Sequence, residues 1–254
     1  MQRPVDGKCY GFTLIELSIV LVIIGFIVAG IMVGNSMIRQ SQLLSSVSDE
    51  QRYVQAIGQF QQKYNYLPGD MPTATSYWGT NPNCATGGAG TGTQTCNGSG
   101  SNQISGMESI YAWQHLANAG MISGSFSGAS KNMSGGGQDE PGYNVPQSKL
   151  ANAGFSLFYV PTTGLGGGWY AANYGHVLEF GAQDNIYYQD TWIPVIAASE
   201  AYNIDLKYDD GLPSTGNILV QNTTVDSCAT AGAQYNASTT NSSLVCQVIY
   251  ITGF

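Results

Sequence analysis

The sequence predicts an α+β fold: one long N-terminal helix, then a head of short strands, short helices and long loops. Three observations predict it. The apolar run Leu17–Val33 is broken only by Ser18 and is long enough to cross a bilayer as a helix. Beyond it Leu43, Val47, Val54, Ile57, Phe60 and Tyr64 recur at helical spacing, with Gln, Ser, Asp49, Glu50 and Arg52 between them. That pattern continues the same helix as an amphipathic one. Further on, the short runs Phe155–Val160, His176–Phe180, Ile218–Gln221 and Leu244–Thr252 read as strands separated by Gly- and Asn-rich turns.

Composition narrows the class. The 254 residues suffice for one sizeable domain and a long helix. Only 9% are charged, while Gly numbers 33 and Tyr 16, so the surface is neutral, polar and rich in loops. Such a surface suits a secreted or cell-surface protein. A formal charge of −8 with few basic side chains makes a poor ligand for phosphate backbones, and no direct nucleic-acid binding is expected.

The N-terminus carries the sharpest signal. A short polar leader, Met1–Tyr10, holds Arg3 and Lys8 and runs into Gly11-Phe12-Thr13-Leu14-Ile15-Glu16-Leu17. Glu16 stands just inside the apolar run, where a charge at the membrane centre costs about 2.5–3.5 kcal/mol on insertion scales. A secretory signal peptide fits poorly, because the run is too long, includes Glu16 and ends without an A-x-A-like site. A plain transmembrane anchor accounts for the length but for neither Glu16 nor the Gly-Phe junction.

Leader, junction, Thr13, Glu16 and apolar helix, in that order, resemble the processing and N-methylation motif of type IV pilins and type II secretion pseudopilins. The resemblance covers Gly11 to about Lys63. It implies that a prepilin peptidase/methyltransferase cuts between Gly11 and Phe12 and methylates Phe12. It implies that Glu16 guides assembly of a helical filament by meeting the Phe12 amine of a neighbouring subunit. Cutting there creates an α-amine one helical turn from Glu16, and a carboxylate near a helix N-terminus also gains from the macrodipole. The implied partners are further copies of the chain, other pilins, the membrane and an inner-membrane assembly platform. The implied location is the inner membrane before assembly and a cell-surface or extracellular filament afterwards, or the periplasm for a pseudopilin.

The expected organisation follows. Residues 1–11 are a removable leader, 12–64 the long helix and 65–254 the head. Within the helix, 12–34 form the transmembrane segment and filament core, and 35–64 the amphipathic part. From Phe12 to Tyr64 the helix would extend about 80 Å at 1.5 Å per residue, so its first half should project from the head. Gly25, Ala29, Gly30 and Gly34 give small-x-x-x-small spacings that let helices approach closely in lipid. Many pilins carry a helix-breaking proline where this chain has Val33. Any local melting here must therefore use the glycines.

Cys9 leaves with the leader, and Cys84, Cys96, Cys228 and Cys246 remain. An even number in an exported chain suggests disulfides. Of the three pairings the sequence-local one, 84–96 with 228–246, is the one expected. Residues 77–105 carry so little apolar surface that a crosslink, not a core, should hold them. Glu108–Met121 reads as a helix with Gly120 near its end, and Ile193–Leu206 as another with Pro194 in its first turn. The resemblance implies that the head is an antiparallel sheet packed on the long helix, often with a disulfide-bounded C-terminal loop, which Cys228 and Cys246 match by position.

No catalytic constellation emerges, and an enzyme is not expected. His115 and His176 stand apart, in no zinc spacing, and are read as structural. Tyr77-Trp78, Trp169-Tyr170 and Tyr187-Tyr188 support an alternative, a membrane-anchored carbohydrate-binding or adhesin module. Asp205, Asp209 and Asp210 beside Gly211 form the one metal candidate, with hard oxygens suited to calcium. Some pseudopilins bind calcium near their C-terminal sheet. Against it, the spacing is not an EF-hand loop, Lys207 lies inside the cluster, and an acidic helix end before a turn explains the same residues.

Overall fold

The computed structural model describes residues 12–130, 138–162, 174–183, 190–220, 228–230, 234–236 and 243–254. The backbone divides into two compact units, Met1–Ser41 and Gln42–Phe254, and the division falls inside the first helix. That helix, α1, is Leu14–Tyr64.

In the first unit every residue from Phe12 to Val33 is exposed. The helix passes through Gly25, Gly30 and Gly34 without interruption, with no proline to remove a hydrogen bond. The glycines weaken it without breaking it.

In the second unit α1 contributes one buried stripe, with Leu43, Val47, Tyr53, Ile57 and Phe60 all inside. Val54 and Tyr64 pack beside it, partly buried. The helix ends where Asn65 turns into the left-handed region at φ 58° and donates its N–H to Gln61 O. Pro68 follows. Gly69 sits at φ +85°, and a Cβ there would lie 2.1 Å from Glu108 O. Only glycine lets this turn lie directly on the next long helix. A one-turn helix, α2, spans Ala74–Trp78, and α3 spans Glu108–Asn118.

Four strands form one antiparallel sheet: β1 Ala153–Val160, β2 Gly175–Ala182, β3 Ile218–Val220 and β4 Val248–Ile251, in the order β1-β2-β4-β3. The register sets Phe155 opposite Phe180, Leu157 opposite Leu178, and Leu178 opposite Tyr250. These side chains form the main core with the α1 stripe and α3. Tyr53 of α1 stands edge-on to Trp113 at 5.0 Å and to Phe155 at 5.3 Å. Alternation sends Phe158, Val160, Val177, Leu219 and Ile249 to the other face, where they form a second, smaller cluster with Tyr174. The sheet is buried on both sides.

Strands β1 and β2 run slightly longer than expected, and three other elements shorten or shift. The helix expected at Glu108–Met121 stops at Asn118. Gly120 adopts φ +72° and donates to Ala117 O, while Met121 donates to Leu116 O. This is a Schellman ending, in which the last carbonyls are satisfied by N–H groups beyond the helix. The helix expected at Ile193–Leu206 is instead α4, Ala198–Tyr208. Ile193 exchanges two main-chain bonds with Ala182, and Val195 and Ile196 both donate to Cys246 O. Extended pairing around Pro194 therefore wins, and the helix starts only after it. The same pairing occupies Val245 and Cys246, so the strand expected at Leu244–Thr252 narrows to β4.

Residues 77–105 are better anchored than their composition suggests. Thr95, Cys96 and Ile104 are buried, and Asn81, Asn83 and Asp70 hold the loop through side chain–main chain bonds. Polar bonding here does what apolar surface does elsewhere.

Candidate functional site

The start of α1 is a capped helix end. Thr13 O accepts the N–H of Leu17 at 3.2 Å, the first intrahelical bond. The Thr13 hydroxyl accepts the Glu16 N–H at 3.3 Å, while the Thr13 N–H and hydroxyl both donate to Glu16 Oε2 at 2.8 Å. That reciprocal pattern is a capping box, T-x-x-E, which satisfies N–H groups a helix otherwise leaves open. Among the described residues Glu16 Oε1 accepts nothing, and Phe12 beside it is 91% exposed. Gly11 and the leader lie outside the described residues. Reading Glu16 only as a charge misses Thr13 as its partner, although the spacing of the two was visible in the sequence.

Among the described residues the small residues face open space. A Cβ on Gly25, Gly30 or Gly34 would meet nothing within 4 Å, and Ala29 is exposed.

The structure brings the four head cysteines together in two pairs. Cys84 bonds Cys96, and Cys228 bonds Cys246. The two histidines are structural. His115 is fully buried; its Nδ1 accepts the Gly69 N–H, leaving Nε2–H for Cys96 O or the Thr95 hydroxyl. Burial pushes it down to about 4, so it stays neutral. The Nε2 of His176 accepts the Ile104 N–H and its Nδ1–H reaches Phe254 O. Each ring ties loops to a regular element.

Asp205, Asp209 and Asp210 can each place an oxygen within 4.8 Å of the others. Six donors converge on them. Gly211 N–H and Tyr235 O–H bind Asp205, Asn217 and Ile218 N–H bind Asp209, and Leu212 N–H and Thr215 O–H bind Asp210. The cluster thus clamps the turn between α4 and β3. Burial raises the Asp205 carboxyl to about 6 despite these bonds. Beside the clamp, Tyr202 and Tyr235 line a cavity of about 370 Å³, with ring centroids 5.7 Å apart. Of the aromatic pairs singled out in the sequence, Tyr77 is exposed and Trp78 packs on the core. Trp169-Tyr170 and Tyr187-Tyr188 lie outside the described residues.

Sequence reasoning missed a second acidic group. Asp139 and Glu179 are fully buried and Asp190 nearly so. Burial, with mutual repulsion, pushes the Asp139 and Glu179 carboxyls well above the usual range. The available signal was Glu179 itself, a lone acid in the middle of the strand run His176–Phe180.

Compared with known protein families, residues 7–32 match the prokaryotic N-terminal methylation motif. This is the prepilin motif of type IV pilins and pseudopilins, a class of structural subunits that assemble with other pilins after processing by a prepilin peptidase. The match ends within α1 and does not extend to the head. No curated protein and no solved structure matches the chain.

Proposed function

We propose that this pilin-class chain is a structural subunit of a type IV pilus-like filament. It enters the inner membrane as a prepilin, is cut between Gly11 and Phe12, is methylated at Phe12 and assembles through α1. One observation carries the reading: α1 holds a stretch of mean hydropathy 2.9 with no residue buried inside the chain, directly after the methylation motif. So much apolar surface must be covered by something else. Lipid covers it before assembly, and neighbouring copies of the same helix cover it in the filament. The open Glu16 Oε1 then faces the Phe12 amine of the next subunit.

The disulfide Cys228–Cys246 matches by position the disulfide-bounded C-terminal loop that the resemblance implies, and a pseudopilin of a type II secretion system is the alternative reading. Electron microscopy of sheared surface filaments, with mass spectrometry of the subunit, tests the reading. The expected result is abundant filaments whose subunit begins at N-methylated Phe12. A cleaved subunit retained in the periplasm, without surface filaments, would favour the pseudopilin. An uncleaved chain would overturn both.

Calcium at Asp205, Asp209 and Asp210 is a separate proposal. Carboxylate oxygens have lone pairs beyond those the six donors use, and the donor set suits a hard cation. Calorimetric calcium binding by the full chain in micelles should be lost in Asp209→Asn, and unchanged binding in that variant would overturn the proposal.

A further inference from the structure

The cavity beside the α4–β3 turn is built from three separate stretches of the head. α4 brings Ser199 and Tyr202, three residues apart and so on one face of the helix. The turn after α4 brings Gly211 and Leu212, and the segment between Cys228 and Cys246 brings Gln234 and Tyr235. At about 370 Å³ the cavity lies at the low end of small-molecule sites, with room for one ring-sized ligand.

Its aromatic wall is held in place by the chain itself. The Tyr235 hydroxyl donates to Asp205 Oδ2 at 2.7 Å, and the Tyr235 backbone bridges to Ala229 inside a loop that the Cys228–Cys246 disulfide closes. Thr230 N–H to Gln234 O at 2.8 Å and Asn236 N–H to Cys228 O at 2.9 Å brace the same loop. The Tyr202 ring is tilted 59° from that of Tyr235, so the two rings do not stack on each other. A wall set beforehand spares a ligand the entropy of ordering it.

Polar groups free to bind line the same space. Among the described residues the hydroxyls of Ser199 and Tyr202 and the carboxamide of Gln234 make no hydrogen bond. Together they offer both donors and acceptors. Asp205 bonds one wall, and Asp209 and Asp210 run directly into Gly211, so negative charge at the rim turns away phosphate and carboxylate ligands. No described Lys or Arg lines the cavity to offset it. We propose that this cavity binds a neutral pyranose ring. The C–H faces of such a ring pack on aromatic rings, whose faces carry partial negative charge. Its hydroxyls both donate and accept, as the free groups here do. Binding involves the head alone and is independent of which filament α1 builds.

The test uses the full chain in micelles of a polyoxyethylene detergent, which carries neither sugar nor charge to compete. The probes are the methyl pyranosides of glucose, galactose, mannose and N-acetylglucosamine, with choline chloride as the contrasting cation. Saturation-transfer NMR and titration read the binding. Wild type should bind at least one pyranoside with a Kd on the order of 1 mM, as expected for a single small ring. Tyr202→Ala should weaken that binding about tenfold through loss of one aromatic contact. Gln234→Ala should weaken it less. Tyr77→Ala, at an exposed aromatic outside the cavity, should bind as wild type does. Should Tyr202→Ala fail to fold, Ser199→Leu decides, because it fills the cavity and leaves both rings. No pyranoside binding by wild type overturns the proposal, as does unchanged binding in Tyr202→Ala or Ser199→Leu. Loss of binding in Tyr77→Ala places the sugar elsewhere and also overturns it. Saturation transfer to choline with none to the pyranosides would assign the cavity to organic cations instead.

Discussion

Glu16 has two separable jobs, and substitutions at Thr13 and Glu16 can tell them apart. Within the chain its Oε2 caps the helix through the Thr13 N–H and hydroxyl. In the proposed filament its charge meets an α-amine. Losing an N-cap interaction costs about 0.5–2 kcal/mol. Losing a unit charge pair at 4 Å costs about 4 kcal/mol at an effective dielectric of 20. The second effect is the larger. At roughly 1.4 kcal/mol per tenfold, it lowers the equilibrium for adding each subunit by nearly a thousandfold. Glu16→Gln keeps an acceptor for the cap but removes the charge, whereas Thr13→Val removes the hydroxyl and keeps the charge. Glu16→Gln should therefore abolish most filaments, while Thr13→Val should reduce them mildly. The assay compares sheared filament yield with the amount of cleaved subunit in the membrane, which should be unchanged in both. Wild-type yield from Glu16→Gln, with strong loss in Thr13→Val, would refute the charge argument and leave capping as the role of Glu16.

Other outcomes follow from the same geometry. Gly30→Leu should leave subunit level and cleavage unchanged, because a Cβ there meets open space, yet should reduce filament yield if close helix packing forms the core. Gly181→Ala places a methyl against Thr191 O and should lower stability by about 1–3 kcal/mol, read by chemical denaturation of the full chain in micelles. Burial raises the Glu50 carboxyl from its ordinary 4.5 up to about 7, so the folded chain holds that proton more tightly than the unfolded one. Its contribution is fully present below pH 4.5 and is lost as the pH rises through 7. Glu50→Gln should accordingly raise Tm relative to wild type at pH 8 and by much less at pH 5; an equal difference at both would rule out this titration.

The sequence alone determined the helix, its two-part character and the methylation motif at its start. A 3.6-residue period, an unbroken apolar run and a fixed processing motif are local properties, readable from neighbouring residues. The buried stripe Leu43, Val47, Ile57 and Phe60 was legible for that reason, and so was the capping pair Thr13 and Glu16, once read as spacing and not as charge. Tertiary structure decided what depends on partners far along the chain. Pairing with Ala182 and Cys246 kept residues 193–196 extended and delayed α4. The glycine at 181 was required by Thr191 crossing above it. The acids at 139, 179 and 190, scattered in sequence, share one buried neighbourhood only because β1, β2 and the crossing segment are hydrogen-bonded together. Spacing along a chain encodes local periodicity, but the environment of a buried charge is set by residues that only folding brings near.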